Sequence, residues 1–135
     1  MSPLILVADD EIAITDIVQD ALKDGGFDVR ICQSGHEAMK TIEDLGDGLA
    51  AVVTDIRIGS GPDGWAIARR ARELHAELAI YMSGDSAADH TSQGVPGSVM
   101  IQKPFALAQI VTAVASRLNG AAVVTSSPDM AIFIS

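Results

Sequence analysis

Four times along this chain a short strand-like run gives way to a longer segment whose apolar residues recur at helical spacing, and a further apolar run precedes a weaker segment. Residues 4–8, Leu-Ile-Leu-Val-Ala, have no polar side chain to turn towards water, which suits a strand buried on both faces. After Glu11 the period changes: Ile14, Ile17, Val18, Ala21 and Leu22 mark one helical face, and Gly25-Gly26 is a stop signal. The pattern repeats with a strand over residues 27–32 and a helix bearing Ala38, Met39, Ile42 and Leu45. It repeats again with a strand over 50–54 and a helix bearing Ile67, Ala71 and Leu74. A strand over 78–82 follows, and then one over 99–101 with a last helix marked by Leu107, Ile110, Val111, Val114 and Leu118.

Repeated strand–helix units of this length predict an α/β fold, a doubly wound five-stranded parallel sheet with helices on both faces. The expected strand order is 2-1-3-4-5, the flavodoxin-like arrangement, with a ligand site beside strands one and three. Residues 1–120 form the predicted domain, and residues 121–135 a C-terminal tail with β character and almost no charge. Between strands four and five only residues 86–90 could hold a helix, so the fourth helix is expected to be short.

The net charge of −9 excludes a nucleic-acid-binding surface, which needs clustered Lys and Arg. One cysteine, Cys32, cannot close an intrachain disulfide, and its β-like surroundings predict a buried, inert thiol. No secretory leader and no membrane-spanning run is present, which predicts a cytoplasmic location and no membrane partner. His36, His75 and His90 are too scattered for a metal site.

A parallel sheet brings its strand C-termini to one edge, where ligands bind. Asp9 and Asp10 follow the first apolar run, Asp55 the third, Ser83 the fourth, and Lys103-Pro104 the fifth. Three carboxylates can gather a hard cation such as Mg²⁺, which takes one or two of them, keeps water and recruits phosphate oxygen. The hydroxyl and the ammonium suit a phosphoryl group. Each residue also has a plain structural alternative: Asp10 as a helix N-cap, Asp55 as a loop cap, Lys103 as a surface lysine. Their convergence favours a site in which the Asp55 carboxylate attacks phosphorus.

The segments Val7-Ala8-Asp9-Asp10-Glu11, Val53-Thr54-Asp55, Asp63-Gly64, Tyr81-Met82-Ser83-Gly84 and Lys103-Pro104-Phe105 resemble the receiver domain of two-component response regulators. The resemblance covers about residues 3–119. It implies that Asp55 accepts a phosphoryl group from phosphohistidine on a sensor histidine kinase or a histidine phosphotransfer protein. It implies Mg²⁺ on Asp10 and Asp55, with Asp9 assisting through water and the backbone carbonyl of Arg57 completing the protein ligands. Ser83 and Lys103 would contact the phosphoryl group, and output would pass to a downstream partner protein or back along a phosphorelay. On this reading the chain is a stand-alone receiver and no enzyme beyond catalysing its own phosphorylation and dephosphorylation. The alternative is a receiver-like interaction module that is not phosphorylated. A haloacid-dehalogenase-type phosphatase would need a second acid two residues after Asp55, where Arg57 stands.

The chain departs from the family pattern at Met100 and in the loop after Asp55, where Gly59 replaces a common proline and Asp63-Gly64 comes one residue late. Met100 occupies the position of an aromatic that usually partners the switch hydroxyl, so the coupling from Ser83 is expected to be altered. Gly59 and Gly61 predict a mobile loop after Asp55. Arg57 and Asp85 are expected to pair over the site. Trp65 is expected to pack at the start of the third helix.

Overall fold

The computed structural model describes residues 2–59, 61–84 and 89–118. The apolar runs become strands and the periodic segments helices. In order these are β1 (Leu4–Ala8), α1 (Ile12–Asp24), β2 (Asp28–Cys32), α2 (Gly35–Leu45), a 3-10 turn (Gly46–Gly48), β3 (Ala51–Asp55) and α3 (Gly64–Glu73). Then come β4 (Leu78–Ser83), α4 (His90–Gln93), β5 (Val99–Gln102) and α5 (Leu107–Leu118). All strand pairs are parallel and the order is β2-β1-β3-β4-β5, as the sequence predicts.

Alternation along each strand sorts the core into two layers. Ile5, Val7, Val53, Ile80 and Ile101 face Val18 and Leu22 of α1 and Ile110 and Val114 of α5. Leu6, Ala8, Val52, Tyr81 and Met100 face Ala38 and Ile42 of α2 and Ile67, Ala68 and Ala71 of α3. The order therefore reverses between β1 and β3, which opens a crevice at their carboxyl ends.

The helix ends follow local chemistry. Ser34 caps α2, accepting the Glu37 N–H, while Glu37 Oε1 accepts the N–H of Gln33, the residue before the cap, a variant of the capping box. Asp63 caps α3 by accepting the Ala66 N–H. The end of α3 was not legible: His75, with φ 80°, stands in the left-handed position that glycine usually fills. Its N–H bonds Arg72 and the Ala76 N–H bonds Ala71, so two late carbonyls are satisfied despite the strain.

Two expectations change. Asp55 and Ser83 are the last residues of their strands and do not follow them. The described part of α4 is a single turn beginning at His90, where residues 86–90 were expected to hold it. Residues 85–88 and the tail 121–135 lie outside the described residues. Cys32 and Trp65 are buried as expected. Among the described residues no helix is long and apolar enough to cross a membrane.

Candidate functional site

The crevice collects the expected acids. One carboxylate oxygen from each of Asp9, Asp10 and Asp55 lies within 4.8 Å of the others. Asp9 is fully buried at the end of β1, where its N–H bonds the Cys32 carbonyl and its Oδ1 accepts the Glu11 N–H at 2.9 Å. Asp10 is exposed and does not cap α1; the cap position belongs to Glu11, whose side chain makes no capping bond. The adjacent acids thus differ in depth, one within the protein and one at its surface.

Asp55 is set by its neighbours on both sides. The Thr54 hydroxyl donates to the Asp55 carbonyl at 2.8 Å, and the Ile56 N–H bonds the Met82 carbonyl. Gly64 approaches so closely that a Cβ there would lie 2.2 Å from the Asp55 carbonyl oxygen. The Asp63-Gly64 pair is therefore a packing requirement: the capping acid starts α3, and the glycine lets it start against the acceptor strand.

Lys103 follows β5, and its ammonium donates to Asp55 Oδ2 at 3.1 Å and Asp9 Oδ2 at 3.3 Å, with Glu11 Oε1 at 4.0 Å. Its N–H bonds the Ser83 carbonyl at 2.7 Å, tying the ends of β4 and β5 together. The peptide bond to Pro104 is cis. Ser83 is buried at 2% exposure. Arg57, two residues after Asp55, is exposed; its expected partner Asp85 lies outside the described residues.

The electrostatics show unequal compensation. Burial pushes the Asp9 carboxyl above its ordinary pKa; the Glu11 N–H opposes this, the Asp55 charge adds to it, and Lys103 only partly offsets it. Burial pulls the Lys103 ammonium down, but attraction to Asp55 and then Asp9 outweighs it, leaving its pKa raised. One ammonium serving several carboxylates leaves negative charge uncompensated. With a hard oxygen donor set, that is a fit for a divalent cation.

Sequence alone gives Glu11 and Gly64 no chemical role at this site. A Glu after two acids gives no signal of reaching a lysine at the far end of the chain. Among the described residues, Asp9, Asp10 and Asp55 are the group able to hold a metal.

The fold and this acid-lined crevice define a response regulator receiver domain. The receiver-domain family model matches residues 5–115, and the chain belongs to that family. The chain is 41% identical to a response regulator receiver protein from Sinorhizobium medicae WSM419, with a TM-score of 0.82 over 87% of this chain and 95% of that one. It is 32% identical to the transcriptional regulatory protein TrcR of Mycobacterium tuberculosis over 88% of this chain and 45% of that protein. The chain spans less than half the length of the curated relatives it matches. The receiver domain of sensor histidine kinase PA1611 from Pseudomonas aeruginosa PAO1 shares the fold at 17% identity, with a TM-score of 0.73 over 89% of this chain and 100% of that one. That domain carries a magnesium ion coordinated in its active site cleft.

Proposed function

We propose that this receiver is a phosphoacceptor in a two-component system or phosphorelay, with Asp55 as the accepting residue. The observation that carries the reading is the Asp55 carboxylate, half-buried at a strand end between Lys103 and the Asp9–Asp10 pair. An Asp55 oxygen attacks the phosphorus of a phosphohistidine on a sensor kinase or phosphotransfer protein. The P–N bond breaks, its electron pair stays on the imidazole nitrogen, and an acyl phosphate forms on Asp55. Lys103 faces the new charge, and the Ser83 hydroxyl offers a hydrogen bond to it.

Asp10 and Asp55, with Asp9 through water and the Arg57 carbonyl, would hold Mg²⁺. When bound, the ion supplies positive charge to the phosphoryl oxygens. The chain's own contribution is placement. Asp9 and Lys103 hold the acceptor oriented, and Gly64 fixes the backbone behind it. On this reading the protein catalyses only its own phosphorylation and dephosphorylation, and signals to a downstream partner or relays the phosphoryl group onward.

Incubation with acetyl phosphate and Mg²⁺ followed by intact-mass measurement tests the proposal. The expected result is one added phosphoryl group, absent without Mg²⁺ and absent in Asp55→Ala. No gain under any condition would leave a receiver-like interaction module as the reading.

A further inference from the structure

Consecutive residues at the end of β4 reach different parts of the molecule. The Ser83 carbonyl accepts the Lys103 N–H at 2.7 Å, and the Met82 carbonyl accepts the N–H of Ile56, the residue after Asp55, at 3.3 Å. Tyr81 precedes them, on the same sheet face as Ser83. Its ring is fully buried, yet its hydroxyl accepts the Val95 N–H at 3.1 Å and neighbours the Ser98 hydroxyl. Ser98 in turn bonds His90 Nε2 at 2.8 Å, and the His90 ring stands edge-on to Tyr81 at 5.7 Å. Trp65 of α3 flanks Tyr81 at 4.6 Å.

This cluster seats the α4 region together with Arg72 and Arg117, which donate to the Pro96 carbonyl at 2.6 Å and the Gly97 carbonyl at 3.0 Å. A single helical turn cannot hold its own position, and α4 has no side-chain N-cap bond. Gly94 lies so close beneath His90 that an added Cβ would meet the ring at 2.4 Å. Val95 is 8% exposed, so its N–H has the phenol oxygen where water would otherwise serve, and losing that acceptor leaves a buried donor unpaired. Across the strand pair Tyr81 faces Met100, an unbranched side chain that adapts to a moving neighbour.

We infer that Tyr81 is a positioning residue that couples the site end of β4 to the segment from His90 to Ser98. Its hydroxyl holds that segment on the sheet while Asp55 is unmodified and loosens its hold when Asp55 is phosphorylated. The inference rests on the acceptor reading above. Its physical content is three separate hydrogen bonds made by consecutive residues of β4, Lys103 to Ser83, Ile56 to Met82 and Val95 to Tyr81, joined by the strand's own backbone.

Amide hydrogen exchange at Val95, read with intact mass on the same samples, tests this in wild type, Tyr81→Phe and Ser98→Ala. Acetyl phosphate with Mg²⁺ is expected to speed Val95 exchange in wild type by roughly tenfold, the scale of one lost buried hydrogen bond. Tyr81→Phe is expected to exchange Val95 fast from the start, to show no further response, and still to take up phosphate. Ser98→Ala keeps the Tyr81–Val95 bond and is expected to respond like wild type. Full phosphorylation of wild type with unchanged Val95 exchange would overturn the coupling and leave the acceptor reading standing. A wild-type response in Tyr81→Phe, or its loss in Ser98→Ala, would also overturn it. No phosphate uptake in wild type would overturn both readings.

Discussion

On the α1/α5 side of the sheet the buried hydrophobic cluster, from Ile5 and Val7 through Ile80 to Val114, holds no Cys, Trp or Tyr. On the α2/α3 side the layer includes Cys32, Trp65 and Tyr81, and their polar atoms matter. Cys32 donates to Thr41, and Tyr81 accepts from Val95. The first layer is held mainly by contact, which is non-directional and tolerates no void, and its buried Thr15 hydroxyl bonds within α1, to the Ile12 carbonyl at 3.0 Å. The second also contains directional bonds that can be made or broken singly. A receiver needs both, a stiff frame to keep acids from separate strands within reach and a face able to change partners.

Mutations that break each kind of contact should therefore differ in size and character. The largest effect is expected from Ile80→Ala in the aliphatic layer. Its side chain is fully buried, and truncation should cost about 2–5 kcal/mol in urea unfolding. Tyr81→Phe on the other face keeps the ring and removes one acceptor, with an expected cost of about 1–3 kcal/mol in the same assay. A Tyr81→Phe loss exceeding that of Ile80→Ala would erase the distinction between the layers.

A smaller effect of opposite sign is expected at the end of α3. Replacing His75 by Gly relieves a side chain from the left-handed region and should raise stability by about 0.5–1 kcal/mol. An unchanged unfolding midpoint would show that the strain is absorbed elsewhere.

The smallest effect is the pH dependence of the bonded face. Burial lowers the His90 pKa below its ordinary 6.5. The unfolded chain therefore binds the proton first, and the stability present above the ordinary value is lost as pH falls through the folded one. Between about pH 7.5 and 5.5 the urea midpoint should fall more in wild type than in His90→Gln. Equal slopes would remove His90 as a contributor.

The sequence made the aliphatic layer far more legible than the bonded one. Apolar runs such as residues 4–8 and the helical spacing of Ile14, Val18 and Leu22 carry their burial on their face, so the strands and helices could be read directly. The strand order came from the flavodoxin-like fold class, and Ile17, expected on the same helical face, is 45% exposed. Asp9, Asp55 and Lys103 were legible for a related reason: they stand beside strand ends, and strand ends converge. What could not be read depends on partners distant in the chain or on backbone geometry. Nothing around Tyr81 announces Val95 as its donor, and His75 carries no residue signal for a left-handed stop. Gly64 was visible as part of a motif, but its necessity appears only when the Asp55 carbonyl is placed against it.

The acceptor assignment is tested most directly by locating the phosphoryl group on the chain. Borohydride reduction of the phosphorylated protein converts an aspartyl phosphate to homoserine, and peptide mass mapping then identifies the residue. The account predicts conversion at Asp55 alone, dependent on Mg²⁺ and abolished in Asp55→Ala. Conversion at Asp9 or Asp10 with Asp55 intact, or none in a protein shown by intact mass to carry phosphate, would contradict it.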